Sequence, residues 1–474
     1  MNDPELKTGA PAYNLGYVWL VCAVAAIGGL LFGYDWVVIG GAKPFFEPFF
    51  GLSSSALRGW ANSCALLGCL AGAILTGGLS DKFGRKRLLV AAALLFAVSS
   101  VLTGWAPAFA WFVVFRMFGG VAIGMASNLS PMYIAEVAPA HMRGRLVTLN
   151  QLTIVIGLLG AQVVNWLLAR PVPDGATADV IGRSWNGTYG WRWMFTAVAV
   201  PALVFFIGAL LIPESPRWLV KNGRADRARR VLARIGGDAY GDSEVRDIQS
   251  TLSRDDIGRV RFGDLLEPRM LKILLIGVVL AVLQQWSGIN VIFNYAEEIF
   301  RQAGYGVSSI LFNIVITGAV NLVFTFVAIR TVDRFGRRAL MLVGCAGIAL
   351  FHTLIGVCYL LHLKGPIVVI PVLATIACYA FSLAPITWVL ISEIFPNRIR
   401  GAAVSVATSS LWAACCILTY TFPLLNGALG PAPTFWLYAA ICAAGFLFIK
   451  ARVPETKGKS LEEIERAVIG GTGC

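Results

Sequence analysis

Charged side chains are scarce in this chain. Asp, Glu, Lys and Arg make up 14 % of its 474 residues, where a soluble domain carries about a quarter. With 57 % hydrophobic residues and a mean hydropathy of +0.72, this shortage excludes an ordinary soluble globule. Histidine is scarcer still: His141, His352 and His362 are the whole set, and they lie far apart. No metal-ligand spacing, nucleophile–base pair or phosphate loop accompanies them. Neither an enzyme nor a metal centre is expected, and no cofactor is called for. The ten cysteines form no framework, since nine (Cys22, Cys64, Cys69, Cys345, Cys358, Cys378, Cys415, Cys416 and Cys442) fall inside apolar runs. They read as small buried thiols rather than disulfide partners. The first fifteen residues, "MNDPELKTGAPAYNL", lack the basic start and apolar run of a cleavable signal. The first apolar run is expected to serve as an uncleaved one.

Apolar length is what the chain has in excess. A membrane-spanning helix needs about 20 mostly apolar residues. Such segments are read at 17–41, 59–80, 88–106, 111–135, 146–169, 193–212, 271–295, 308–331, 339–362, 366–392, 402–426 and 434–450. The chain therefore reads as an all-α membrane protein with twelve transmembrane helices. The net charge of +13 suggests a nucleic-acid partner until its placement is considered. With the amino terminus in the cytosol, 31 of the 39 Lys and Arg fall in cytosolic segments, seven outside, and Arg116 within a helix. That is the positive-inside bias of membrane topology, so the expected surroundings are a lipid bilayer and no nucleic acid. The expected location is a cell inner (plasma) membrane, with both termini cytosolic.

A polar segment splits the spans six and six. The organisation expected is a cytosolic tail (1–16), a six-helix bundle (17–212), a cytosolic helical linker (213–270), a second bundle (271–452) and a tail (453–474). Within the linker, "KNGRADRARRVLARIGG" has helical spacing, and Val231, Leu232 and Ile235 give it an apolar face for the cytosolic surface. The two bundles repeat each other. "LSDKFGRKRLLV" returns as "TVDRFGRRALMLV", and "YIAEVAPAHMRGRLV" as "LISEIFPNRIRGAAV". Glu136 and Glu393 are 257 residues apart, as are Arg143 and Arg400. Parallel six-helix repeats are a transporter architecture, with the site at their interface and rocking as the motion.

The repeated loops place acid and base within one turn: Asp81 with Arg85, and Asp333 with Arg337. With Glu136, Arg143, Glu393 and Arg400, and with Glu214, Arg217 and Glu455 of "PESPRWL" and "PETKG", they read as a cytosolic gate that forms in one state and breaks in another. Polar groups inside the spans are the other informative feature. "LQQWSGINVIFNYAEEIF" puts Gln284, Gln285 and Asn290 within two turns, near Ser287 and Gly288, which loosen a helix. Gln284 and Gln285 lie about 100° apart on a helix and cannot share one face. Asp35 and Arg116 are an acid and a base well inside spans one and four, where an unpaired charge costs roughly 2.5–3.5 kcal/mol. Gly120 and Gly124, four apart, allow close helix approach.

The motifs "GGLSDKFGRKR", "RMFGGVAIG", "PMYIAEVAPAHMRG", "PESPRWL", "QQWSGIN", "DRFGRR", "SEIFPNRIRG" and "PETKG" together resemble the sugar porter family of the major facilitator superfamily. The stretch "LSPMYIAEVAPAHMRGRLVTLNQ" is most similar to bacterial proton-coupled xylose symporters. The resemblance runs from about residue 17 to 465. It implies two pseudo-symmetric six-helix bundles, alternating access, and a sugar and a proton as the small partners of a chain that works as a monomer. It further implies that Gln151, Gln284, Gln285, Asn290, Asn294 and Asn321 meet the sugar, with Phe32, Trp388 and Trp412 as aromatic walls. Asp35 beside Arg116 is implied as the proton-coupling pair. In the reading that follows, Asp35 takes a proton from outside, lets go of Arg116, and discharges the proton inward. The pocket departs from the family at Leu158, Asn294, Leu383, Leu411 and Cys415, which leaves the sugar itself open. A facilitative uniporter and a proton-coupled cyclitol or polyol porter are the alternatives. A nutrient sensor is disfavoured by the short segment after "PETKG". "NGT" at Asn186 matches a glycosylation sequon on the outer side.

Overall fold

A computed structural model of the chain describes residues 13–173, 176–255, 265, 267–395 and 400–457. Among these residues twelve helices are long and apolar enough to cross a bilayer. They are, in order, Leu15–Phe49, Ser55–Phe83, Arg85–Gly104, Phe109–Val137, Arg143–Leu168, Asn186–Leu211, Met270–Asn294, Val307–Val332, Arg337–Leu360, Pro366–Ile391, Ala402–Leu429 and Pro431–Arg452. The protein is a multi-pass membrane protein. Leucine-rich stripes such as Val200, Leu203, Val204, Ile207 and Leu211 stay exposed on the sixth span. In water such a stripe is a liability, whereas in lipid it is the solvent-facing side.

Several spans run past their expected edges, for local reasons. The first begins on Asn14, whose side chain accepts the Tyr17 backbone N–H at 3.1 Å. It ends only at Phe49, continuing through Pro44 and Pro48. Proline normally ends or kinks a helix, which is why the expected edge fell near 41. At about 1.5 Å per residue, 35 residues reach roughly 52 Å, so this helix projects well beyond a bilayer core of about 30 Å. The seventh span is broken: a helix ends at Trp286, Gly288 is left-handed (φ +84°), and short helices follow at Ile289–Asn294 and Ala296–Gln302.

Small residues set the packing of the first six spans. A Cβ on Gly120 would stand 1.9 Å from the Ala65 carbonyl oxygen, and one on Gly124 2.1 Å from that of Cys69. The second and fourth spans thus meet backbone to backbone, as the spacing of the two glycines suggests. Gly33 and Gly157 seat the first span on the fifth in the same way.

Among its described residues the linker holds three helices, Pro216–Lys221, Ala225–Gly236 and Asp238–Asp255, rather than one. Leu232 and Ile235 are buried as the apolar pattern implies. Part of what covers them is the protein itself, for the Asn14 N–H donates to the Ile235 carbonyl at 2.8 Å. Asn186 is also inside. Its amide donates to the Arg170 carbonyl and accepts the Arg170 N–H, both at 2.8 Å, and the residue is 1 % exposed. A glycan has no access there, so the sequon reading is set aside.

Candidate functional site

Asp35 and Arg116 come together. Arg116 Nη1 donates to Asp35 Oδ1 at 2.8 Å and Oδ2 at 2.9 Å, while Nη2 reaches the Asp35 carbonyl at 3.4 Å. Both side chains are about 5 % exposed or less. Arg116 also lies over the Phe195 ring, 5.5 Å from its centroid. The Arg116 Nε has no hydrogen-bond partner. The pair is buried and charge-compensated, with both Asp35 oxygens resting on one Arg116 nitrogen.

The amides of the seventh span form a chain. Asn290 Nδ2 donates to Gln285 Oε1 at 2.5 Å, Gln285 Nε2 to Gln284 Oε1 at 3.2 Å, and Gln284 Nε2 to the carbonyls of Leu383 and Ala384, each at 3.2 Å. Gln284 and Gln285 reach each other side by side, although they point from different faces. Asn290 also contacts Cys415 Sγ at 3.3 Å. Asn294 is buried with its Oδ1 unpartnered, and Asn321 is buried on the eighth span. Gln151 is half-buried on the fifth. Phe32 and Trp412 meet across the two halves at 5.7 Å between centroids. Trp388 stands apart as the most open of the expected set, 36 % exposed. Of the residues that depart from the family pattern, Leu158, Leu383, Leu411 and Cys415 are all buried.

Trp36 completes the aromatic wall and was not foreseen. It lies 5.9 Å from Phe32 and 5.8 Å from Trp412. Its position four residues after Phe32 on one helix was the available signal. Lys43 was missed too. It is fully buried, pairs with Glu298 of the other half, lies 3.6 Å from Glu47 Oε1 and sits 4.0 Å over the Tyr295 ring. Glu297 pairs with Arg301 beside it, and Arg58 with Glu47 at 3.6 Å. Further cross-half hydrogen bonds run from Gln162 to Thr317 (3.3 Å) and from the Val172 N–H to Ser308 (3.2 Å). The halves are thus bound together at the end distal to the repeated motifs.

At the motif end, the charges pair within their own half. Arg85 joins Glu136 at 2.9 Å and Asp81 at 3.3 Å, and Arg337 joins Glu393 at 3.5 Å. Asp81 also holds Lys221 of the linker at 2.9 Å. Glu214 and Glu455 cap helices rather than pair with arginine side chains. Glu214 accepts the N–H groups of Arg85 (2.9 Å) and Lys86 (3.0 Å) at the start of the third span. Glu455 does the same for Arg337 (2.9 Å) and Arg338 (3.1 Å) at the start of the ninth. A carboxylate there meets the positive end of a helix dipole. The preceding Gly84 and Gly336 leave it room, for a Cβ would lie 2.3 Å and 2.6 Å from the acid oxygens. Burial works to raise the Glu455 carboxyl, but four backbone N–H donors outweigh it and hold the group below the usual carboxylate range. Glu136 and Glu393 repeat the pattern, accepting from Ser215 (2.5 Å) and Thr456 (2.6 Å). Arg143 is exposed, and its charge lies close enough to act on Glu244 of the linker. Arg217 is exposed on the first linker helix. The side chains of Asp333 and Arg400 lie outside the described residues.

Over nearly its whole length the chain is similar to known sugar transporters. The family model described as "Sugar (and other) transporter" matches residues 21–468. The arabinose–proton symporter of Bacillus subtilis is 38 % identical over 98 % of this chain and 99 % of its own. The glucose transport protein of Synechocystis is 40 % identical over 98 % of this chain and 100 % of its own. Among solved structures, the xylose transporter of E. coli in an inward-open conformation superposes with a TM-score of 0.82. It is 36 % identical and covers 94 % of this chain and 99 % of that one.

Proposed function

The chain belongs to the sugar transporter family, and from that premise we propose that it is a proton-coupled monosaccharide symporter working by alternating access. The observation that carries the proposal is the buried Asp35–Arg116 pair in the first half, next in sequence to Trp36, which meets Phe32 and Trp412. A passive carrier needs no buried acid, and a charge pair at this depth is costly to keep unless it works.

In this reading Gln284, Gln285, Asn290 and Gln151 take sugar hydroxyls, with Asn294 and Asn321 close by. Phe32, Trp36 and Trp412 cover the apolar face of the ring, and Trp388 closes over it as the halves move. Without sugar the amides partner one another, so a hydroxyl, which both donates and accepts, enters their chain without leaving either side unsatisfied. The proton goes to an Asp35 oxygen and neutralises the acid. Arg116 then loses its charge partner and turns toward other acceptors, which frees the first and fourth spans to rock against the second half. Return of Arg116 in the inward-facing state expels the proton. Bound halves at the end distal to the motifs, and likeness to an inward-open structure, support an inward-facing state here. The motif end is then cytosolic, as the positive-inside count implies. Both termini lie there, the membrane is the inner (plasma) membrane, and a single chain suffices.

The test is uptake into proteoliposomes of labelled pentoses, hexoses and cyclitols, with an inward proton gradient and with a protonophore. Accumulation of one monosaccharide above its outside concentration, abolished by the protonophore, is expected. Equilibration without accumulation would make the protein a uniporter, and preference for a cyclitol would change the substrate class.

A further inference from the structure

His352 is fully buried in the ninth span and has no part in any role assigned above. Its Nε2 lies 2.8 Å from the carbonyl oxygen of Ser287, at the break in the seventh span. In an unbroken helix that carbonyl accepts the N–H four residues on, from Val291. Here Val291 N–H turns to Gly288 instead, at 3.1 Å, and the Ser287 carbonyl is freed. A carbonyl can only accept, so Nε2 carries the imidazole proton and donates it. Cys442 Sγ approaches the same oxygen at 3.7 Å. Phe435 and Tyr438 flank the imidazole at 5.6 and 6.0 Å. The fit depends on Gly288: it is left-handed, and a Cβ there would sit 2.8 Å from His352 Nε2.

The break matters because of what stands on either side of it. Five residues apart on a regular helix, Gln285 and Asn290 would point about 140° apart. Across the break they are hydrogen-bonded at 2.5 Å. We infer that His352 is a positioning residue for the sugar site: by holding the freed Ser287 carbonyl it fixes the break in the seventh span, and so brings Asn290 round to Gln285. This rests on the reading of those amides as sugar contacts. An alternative in which the imidazole only fills space predicts no dependence on its donor.

The experiment compares the full-length protein with His352→Leu and His352→Gln, the second keeping an N–H able to reach the carbonyl. Sugar Kd is read by equilibrium binding with the sugar that the uptake panel selects. Amide exchange of residues 286–294 is read by mass spectrometry without sugar, and melting is followed in detergent. His352→Leu should weaken binding about tenfold, as orphaning one buried carbonyl would, and speed exchange in that segment while melting changes little. His352→Gln should restore Kd to within about threefold. Wild-type Kd and exchange in His352→Leu, or equal loss in both variants, would overturn the inference. Should the wild type bind no monosaccharide, the transport reading fails instead, and exchange still decides the clamp. If His352→Leu does not fold, His352→Met, which keeps the bulk and removes the donor, takes its place with the same expectations.

Discussion

Replacing Lys43 with alanine tests what keeps the halves together at the end distal to the repeated motifs. Lys43 has no exposed surface, pairs with Glu298 across the halves, neighbours Glu47 at 3.6 Å and lies over Tyr295. These contacts to Glu298 and Tyr295 exist only while the first and seventh spans touch. Removing one partner of a buried pair costs roughly 3–5 kcal/mol, because the other charge is left behind. Glu47 keeps Arg58, and Glu298 borders a cleft of ≈ 600 Å³ that also holds Glu297 and Arg301. Water entering that cleft recovers part of the loss, which leaves about 2 kcal/mol taken from the closed state. That is a shift of roughly 30-fold toward a state open at this end. Spin labels at Ser53→Cys and Ser309→Cys, both exposed and on different halves, read the gap by pulsed electron resonance in a cysteine-free background. The Lys43→Ala variant should gain a longer-distance population, and Lys43→Arg should resemble the parent. An unchanged distance distribution in Lys43→Ala would refute the reasoning, since the pair would then contribute nothing to closure.

Two further outcomes follow from packing and capping. Gly120→Leu forces a side chain into the Ala65 carbonyl. Overpacking of this kind costs about 1–3 kcal/mol or more, so the monodisperse peak in detergent chromatography should collapse, whereas Gly78→Ala, with open space around it, should elute normally. Glu455 has its folded pKa depressed below the ordinary 4.5. Its contribution is therefore full above that value and lost as pH falls through the lower one. Melting measured from pH 7 down to 3 should fall more steeply for the wild type than for Glu455→Gln, and parallel curves would contradict the helix-cap account.

Much of the fold was legible because lipid imposes a length and a composition on each span, and because the halves repeat their motifs. Asp35 and Arg116 stood out because charges inside spans are costly, and the resemblance to proton-coupled porters is what set one beside the other. What stayed hidden depended on the course of the backbone. Lys43 read as an outside-loop charge because Pro44 and Pro48 argue for a helix end, yet the helix continues and carries it into the interface. Trp36 read as one more apolar residue of a span, and only the crossing with Trp412 gives it a role. His352 was one of three scattered histidines, and nothing in its neighbours announces a broken helix sixty-five residues earlier. The motif charges were found as residues but not as a pattern. Glu214 and Glu455 turned out to bind backbone N–H groups, which no side-chain spacing reveals.

Transport by Asp35→Asn addresses the central claim most directly. In proteoliposomes carrying an inward proton gradient, the variant should exchange labelled sugar across the membrane but fail to concentrate it, because the amide cannot take up and release the proton that resets Arg116. Accumulation at the wild-type level by Asp35→Asn would contradict the account, and would place the coupling site elsewhere in the molecule.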